Sequence, residues 1–100
     1  MNVDWTEAAL AQLDAIYDFY SQTSPSYALR LVDRLTNRSK QIATFPLSGR
    51  MVPEYELNEV REMIEGSYRI IYLIHADRIE ILALFHTSRK GINPLGRWGS

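Results

Sequence analysis

The chain has 100 residues, of which 46% are hydrophobic and 23% are charged, and this size and balance are typical of one small globular domain. It contains no cysteine, which excludes a disulfide framework, a thiol nucleophile and a zinc–thiolate site. A net charge of −1 argues against a protein that holds bulk RNA or DNA by charge, because phosphate-binding domains are usually strongly basic.

The sequence also lacks targeting signals and metal-site patterns. Its start does not show the basic and then apolar pattern of a secretory signal. The longest apolar runs, 70–74 and 81–85, fall far below the roughly 18 residues that a membrane span requires. The two histidines are far apart in the sequence, which is weak evidence for a metal site. We therefore expect a soluble cytoplasmic protein with no membrane contact, no metal and no cofactor.

The N-terminal half predicts a short strand followed by an antiparallel helical hairpin. In residues 1–5, apolar and polar residues alternate as they do in a strand. The hairpin is expected over residues 6–45, with Thr6 and Ser24 as N-caps because their hydroxyls accept backbone N–H bonds. Pro46 ends the second helix. The apolar stripes are Leu10, Leu13, Ile16, Tyr17 and Tyr20 in the first helix, and Ala28, Leu31, Val32, Leu35, Ile42 and Phe45 in the second.

Two irregular segments flank the region that follows. Residues 46–59 are predicted to form a loop, because they hold two prolines and a glycine. Arg50 and Glu54 lie in this loop, and functional residues concentrate in loops. The tail, residues 90–100, is turn-rich, but it carries apolar residues that we expect to cover part of the sheet: Ile92, Leu95 and Trp98.

Residues 60–89 are predicted to form a three-stranded antiparallel sheet. The expected two-residue turns are Gly66-Ser67 and Ala76-Asp77, and glycine supplies the positive φ that such a turn needs. The second turn would set Arg69 opposite Leu84.

The first turn would set Glu62 opposite Ile71, and side chains alternate between the faces of a strand. One face would then carry Val60, Glu62, Ile64, Arg69, Ile71, Leu73, Leu82, Leu84 and His86. The other face would carry Arg61, Met63, Tyr68, Ile70, Tyr72, Ile74, Ile79, Ile81, Ala83 and Phe85.

Five charged or titratable residues interrupt this apolar sheet, and hydrophobic packing does not require them: Arg61, Glu62, Arg69, His86 and Arg89. In a scaffold role, Arg61 and Arg69 would pair with a neighbouring glutamate (Glu62, Glu54 or Glu65), because partly buried arginines are usually paired. His86 would then be a packed, hydrogen-bonded strand residue. In a functional role, these residues would make the sheet the part of the protein that carries its function.

The order of these features resembles the ParE/RelE superfamily of toxins from bacterial type II toxin–antitoxin modules. The matching parts are the loop motif Pro46–Glu54 (PLSGRMVPE), the hairpin motif Arg61–Tyr72 (REMIEGSYRIIY), and an ending with Leu84, His86 and Arg89. The resemblance implies an α+β fold in which an N-terminal antiparallel helical hairpin packs on a small twisted antiparallel sheet. It also implies a cognate antitoxin that wraps the toxin in a hetero-oligomer.

The targets implied by the resemblance differ by branch: ParE-like toxins poison DNA gyrase, and RelE-like toxins cleave mRNA on the ribosome. RNA cleavage by this fold requires a base, cations and an acid, which could come from Arg50, Glu54, Arg61, Arg69, His86 and Arg89. His86 is the natural acid–base candidate, because histidine titrates near neutral pH.

Two departures weaken the RelE-like interpretation. Glu62 directly follows Arg61, where the RelE-like branch often has a further basic residue close by, and Thr87 follows His86, where that branch commonly has tyrosine or basic residues. The sequence therefore favours a gyrase-binding, ParE-like toxin. A ribosome-dependent mRNA endonuclease is the alternative, and a degenerate toxin that only binds its antitoxin is a third possibility.

Overall fold

The computed structural model describes residues 1–87; Arg89 and the tail with its three apolar residues lie outside the described residues. These residues form two α-helices and five strands, which confirms the predicted α+β class. The helices are α1 (Glu7–Ser21) and α2 (Pro25–Thr44), and a short 3-10 helix follows at Pro46–Ser48. The strands are β1 (Asn2–Trp5), β2 (Arg50–Met51), β3 (Val60–Glu65), β4 (Tyr68–Ile74) and β5 (Arg78–His86).

The two helices begin where the sequence predicts. The Thr6 hydroxyl accepts a bond from the Ala9 N–H at 3.0 Å, and the Ser24 hydroxyl accepts one from the Tyr27 N–H at 3.3 Å. Two residues of the predicted stripes are nevertheless exposed: Leu10 is 46% and Phe45 67% accessible. Phe45 follows the last residue of α2, and its non-helical backbone turns the side chain away from the stripe.

The sheet is larger than predicted and is mixed, with the strand order β1-β5-β4-β3-β2. The predicted three antiparallel strands form its centre. At one edge, β1 lies parallel to β5, with Asn2 opposite Arg78. At the other edge, β2 lies antiparallel to β3, with Arg50 opposite Glu62. Part of the predicted 46–59 loop is therefore helix and strand.

Both predicted turns are present. Gly66 has φ +58°, and the pairing of Glu62 with Ile71 is as predicted. The His75 N–H donates to the Arg78 carbonyl at 2.9 Å, which closes the second turn.

The predicted pairing of the last strand is wrong beyond the middle of β5, because a β-bulge lies there. Tyr72 is opposite Ile81, yet Ile71 is opposite Ala83, so one residue is extra and Arg69 pairs with Phe85 rather than Leu84. A bulge re-aims the side chains that follow it. Leu84 and His86 therefore lie on the helix-facing side, and Ala83 and Phe85 on the opposite side, in reverse of the prediction.

Contacts from outside the hairpin accompany the bulge. The Thr6 hydroxyl donates to the Leu82 carbonyl at 3.1 Å, and the Gln12 side chain accepts the Leu84 N–H at 2.7 Å. These contacts come from the N-cap and the first half of α1, the helix that follows β1 in the chain. The change of face at Leu84 and His86 thus accompanies contacts with residues far away in the chain, which the sequence of β5 alone does not predict.

The sheet has an apolar core on each face. The helix-facing core includes Leu31 and Leu35 of α2 with Ile70, Tyr72 and Ile81 of the sheet. The core on the far face consists of Val52, Val60, Ile71, Ala83 and Phe85. Within residues 1–87, no helix is both long and apolar enough to cross a membrane.

Candidate functional site

Three charged residues meet on the sheet face away from the helices, and we call Arg50, Glu62 and Arg69 the Glu62 cluster. The Arg50 Nε donates to one carboxylate oxygen of Glu62 at 2.5 Å. The Arg69 Nε donates to the other oxygen at 2.8 Å, and the Arg69 Nη2 also bonds to that oxygen. Both carboxylate oxygens therefore have arginine donors, so the buried charge is paired.

The strand registers bring these side chains together. Arg50 of β2 is directly opposite Glu62 of β3. Arg69 of β4 is opposite Ile64, two residues along β3 from Glu62 and on the same face. Side chains in diagonal positions of neighbouring strands lie within reach of a long arginine. The cluster thus joins three adjacent strands through one carboxylate.

Burial differs strongly across the cluster. The Glu62 side chain is fully buried, the Arg69 side chain is 16% accessible, and that of Arg50 is 72% accessible. Two arginines against one glutamate leave a net charge of +1. Because Arg50 is the exposed member, this positive charge faces solvent at the edge of the sheet.

Arg61 does not join the cluster. Its Nη1 donates to the Gly49 carbonyl at 2.9 Å and its Nε to the Asn58 carbonyl at 3.0 Å. Arg61 is paired in the sheet with Tyr72, whose hydroxyl donates to the Pro46 carbonyl at 2.7 Å. Arg61 therefore connects the segment after α2 to the start of β3.

The hydroxyl of the buried Tyr72 also forms hydrogen bonds with the segment after α2. It accepts the Gly49 N–H at 3.0 Å. Burial raises the pKa of Tyr72 above its ordinary value of 10.0, and the opposing effects of the Gly49 bond and the Arg61 charge are smaller. At neutral pH the hydroxyl is therefore protonated and can donate as well as accept.

His86 and Glu54, two further predicted site residues, also lie apart from the cluster. His86 lies on the helix-facing side, and its ring packs edge-to-face on Tyr68 with centroids 5.3 Å apart. Glu54 is exposed in the turn after β2, and Arg89 is outside the described residues. Of the five predicted site residues that lie within residues 1–87, the structure brings together Arg50 and Arg69.

Glu62 stands out in the sequence as one of five residues that packing does not require, but it is not among the six predicted site residues. The sequence pattern that could have identified it is a carboxylate between Val60 and Ile64 on the same face of one strand. Within residues 1–87, no three His, Asp or Glu side chains are grouped so that they could hold a metal ion.

A groove of about 570 Å³ lies between α1 and the second half of β5, and we call it the α1–β5 groove. It is largely apolar, and an edge-to-face contact between Phe19 and Tyr20, 5.0 Å between centroids, forms one end. Phe19 is 67% accessible. The residues on its two walls include Gln12, Ile16, Phe19 and Tyr20 of α1 and Leu84 and His86 of β5.

The chain resembles known toxins along nearly its whole length. Residues 3–91 match the family described as the ParE toxin of the type II toxin–antitoxin system parDE. Toxin RelE2 of Caulobacter vibrioides is 33% identical over 88 residues, which are 87% of this chain and 96% of that protein. Putative toxin Y4kP of Sinorhizobium fredii is 31% identical over 90 residues, which are 88% of this chain and 90% of that protein.

The fold is similar to that of a solved toxin–antitoxin structure. The structure described as the chromosomal ParDE toxin–antitoxin system from P. aeruginosa aligns with a TM-score of 0.72 and 29% identity. The alignment covers 86% of this chain and 95% of that one. The helical hairpin on a small sheet is therefore a shared architecture.

Proposed function

Because the chain belongs to the ParE toxin family of type II toxin–antitoxin systems, we propose that it inhibits growth by binding DNA gyrase and that a cognate antitoxin neutralises it. The proposal makes the protein a binder and not a catalyst. The exposed faces of α1 and α2, together with the tail, would contact the target.

The observation that carries this proposal is the Glu62 cluster. Cleavage of RNA without a metal requires cations that are free to stabilise the charged phosphorane. Here the buried Glu62 carboxylate already bonds to both Arg50 and Arg69. A substrate phosphate would have to compete with an internal carboxylate for the Nε of Arg50 and for the Nε and Nη2 of Arg69.

The placement of the other candidates supports the same proposal. General acid–base catalysis requires the acid or base within hydrogen-bond reach of the reacting atoms. His86 lies on the helix-facing side of the sheet, whereas the Glu62 cluster lies on the other. Arg61 donates to backbone carbonyls around the loop after α2. His86 and the Glu62 cluster therefore do not face one common site.

The proposed antitoxin would cover exposed apolar side chains on the helices and the segment after them. Phe19, Leu29, Phe45 and Leu47 are each more than half accessible. A partner that covers these side chains would remove their apolar surface from water, which favours binding. The similar P. aeruginosa protein is described as part of a ParDE toxin–antitoxin system, and we extend that arrangement to this chain.

The second candidate is a ribosome-dependent mRNA endonuclease. Its support is the exposed guanidinium of Arg50 and the name of the similar toxin RelE2. It predicts that His86→Ala and Arg61→Ala each abolish toxicity while the protein remains folded. Loss of toxicity only in variants that no longer fold would count against catalysis.

The deciding experiment compares two targets with one protein preparation. Purified protein is incubated with gyrase, ATP and plasmid, and in parallel with translating ribosomes and message. Blocked supercoiling or linear plasmid with intact message is the result we expect. Cut message with unaffected gyrase would overturn the proposal and assign the Arg50 region to catalysis.

A growth assay separates active from degenerate toxin. Expression in cells should arrest growth with induction of the DNA-damage response, and co-expression of the antitoxin should restore growth. Growth arrest without DNA-damage signalling would argue against gyrase as the target. Normal growth would indicate a degenerate toxin that retains only antitoxin binding.

A further inference from the structure

Helix α2 carries an excess of positive charge. Its residues 25–44 include four basic side chains and one acidic side chain, a net side-chain charge of +3. Three of the basic residues, Arg30, Arg34 and Arg38, recur every four positions and therefore follow one side of the helix. We call these three residues the arginine stripe. The net charge of −1 for the whole chain is thus compatible with a locally basic surface.

The arginine stripe is accessible to solvent and only partly neutralised. The side chains of Arg34 and Arg38 are 48% and 35% accessible, and Arg30 is exposed. Arg34 and Arg38 both approach the carboxylate of Glu65, with N–O distances of 3.2 and 3.5 Å. Arg30 lies over the ring of Tyr27 at 6.0 Å and has no ion-pair partner in the described part of the chain. Three positive charges beside one carboxylate leave a net charge of +2.

The contacts of the stripe hold the arginines in place but use few of their donors. A guanidinium has five N–H donors. Arg34 donates one hydrogen bond to Glu65 at 3.2 Å, and Arg38 donates one to Gln41 at 2.9 Å. Further donors therefore remain for an anion, and side chains that are already ordered lose less entropy when they bind it.

The surroundings of the stripe fit a nucleic acid better than a protein. Its exposed neighbours on α2 include the polar residues Asn37 and Gln41, and the ring of Tyr27 lies under Arg30. The exposed aliphatic residue of α2, Leu29, lies on another side of the helix. The core of a protein interface is depleted of charge, whereas DNA interfaces are polar and strongly positive. Arginine also binds phosphates through parallel N–H donors.

The length of the stripe fits a phosphate backbone. Residues four positions apart lie about 6 Å apart along a helix axis, so the stripe spans about 12 Å. One strand of duplex DNA carries a phosphate for every 3.4 Å or so of its axis. About three or four phosphates therefore lie within reach when α2 runs along the strand.

The charge of α1 orients the approach of such a partner. Residues 7–21 carry three exposed acidic side chains and no Lys or Arg, a net side-chain charge of −3. These three, Glu7, Asp14 and Asp18, follow one side of α1 because their spacings of seven and four match the helical repeat. Phosphates repel this side and attract the arginine stripe, so the field of the protein turns α2 towards the DNA.

We propose that the arginine stripe of α2 binds the phosphate backbone of duplex DNA, and that it adds this contact when the protein is bound to gyrase on DNA. The second part rests on the proposed function, whereas DNA binding by the stripe does not. Three arginines provide a weak contact that falls steeply with salt concentration. The contact strengthens binding to a gyrase–DNA complex and does not by itself hold the protein on bulk DNA.

Titration of the full chain into a fluorescent DNA duplex tests the stripe without gyrase. Fluorescence anisotropy at increasing salt concentration gives the association constant. Three phosphate contacts predict that its logarithm falls with the logarithm of the salt concentration with a slope of about −2.7. Absence of binding at low salt, or a slope near zero, would overturn the proposal.

A matched pair of substitutions locates the contact. Arg30→Gln removes one charge from the stripe and should weaken binding at low salt about tenfold or more and change the slope to about −1.8. Lys40→Gln removes the same charge from another side of α2 and should retain the slope of the parent. Arg30→Lys keeps the charge and should also retain it. Circular dichroism and melting curves would verify that the variants are folded, and equal slopes for Arg30→Gln and Lys40→Gln would overturn the proposal.

Binding to gyrase distinguishes the DNA contact from contacts with a protein. We expect the parent and Arg30→Gln to bind gyrase alone equally well, and Arg30→Gln to bind several-fold more weakly when gyrase holds a duplex. Equal losses with and without the duplex would mean that the stripe contacts the gyrase protein, which would overturn the proposal. An unchanged salt slope with loss of antitoxin binding would assign the stripe to the antitoxin. A parent protein that does not bind gyrase would refute the proposed function, and the duplex titration would still decide whether the stripe binds DNA.

Discussion

Replacing Glu62 by glutamine should destabilise the fold more than any other change of one charge in the described residues. The substitution keeps the shape of the side chain and removes its charge. The amide can accept from only one of the two arginines that bond to it, and its NH₂ group would face the other. Glu62 is 1% accessible, so water cannot replace the lost partner.

The expected cost follows from the burial of the three members. Removing one partner of a buried ion pair costs about 3–5 kcal/mol. Arg50 is 72% accessible, so water will solvate its charge, whereas Arg69 at 16% will remain largely desolvated. We therefore expect the lower end of that range, about 3 kcal/mol, which is a large part of a typical stability of about 5–15 kcal/mol.

Urea unfolding at neutral pH measures this loss, with Arg50→Ala as the matched control. An ion pair that involves an exposed arginine contributes at most about 1 kcal/mol, so the control should lose much less than Glu62→Gln. The melting temperature of Glu62→Gln should fall by at least about 12 °C. A loss below about 1 kcal/mol, or equal losses in the two variants, would refute the reasoning that Glu62 holds the three strands together.

Two other substitutions test the segment after α2. Gly49→Ala places a methyl group 2.6 Å from the Glu62 carbonyl oxygen and against the Tyr72 hydroxyl, so the unfolding free energy should fall by about 1–3 kcal/mol; a melting curve unchanged from the parent would contradict this. Tyr72→Phe should cost about 2 kcal/mol at pH 7, because the Gly49 N–H and the Pro46 carbonyl lose their partner. The pKa of Tyr72 is raised in the folded state. The contribution of its hydroxyl to the free energy of unfolding is therefore complete below pH 10 and is lost as the pH rises through the folded-state pKa. The difference in unfolding free energy between the parent and Tyr72→Phe should therefore become smaller above pH 10. A difference that grew with pH would contradict the raised pKa of Tyr72.

Local chemistry explains which parts of the fold the sequence could predict. The N-caps at Thr6 and Ser24 and the turn at Gly66 depend on residues adjacent in the chain, and all three are confirmed. The bulge in β5 is different, because the contacts around it come from Thr6 and Gln12, more than 70 positions away. No pattern within the strand predicts a contact of that range.

The contacts of the candidate site are also predicted from the sequence only in part. Pairing of Arg69 with Glu62 was one of the scaffold roles considered from the sequence, and it is confirmed. Pairing of Arg50 with Glu62 depends on β2, a two-residue strand too short to show a periodic pattern. Regular alternation along β5 predicts that His86 lies on the same face as Arg69, and the single extra residue of the bulge reverses that alternation.

The parallel pairing of β1 with β5 has a consequence for the order of folding during synthesis. The first strand of the sheet needs the last one, and Thr6 bonds to Leu82 across 76 positions. Closing a loop of that length costs about 4 kcal/mol of chain entropy, whereas the helical hairpin needs only neighbouring residues. We expect α1 and α2 to form early and the sheet to close only after β5 has left the ribosome. A nascent chain arrested before residue 78 should therefore be protease-sensitive, and a protease-resistant one would contradict this order. The sheet that holds the Glu62 cluster would thus gain its edge strand β1 only after β5 has been synthesised.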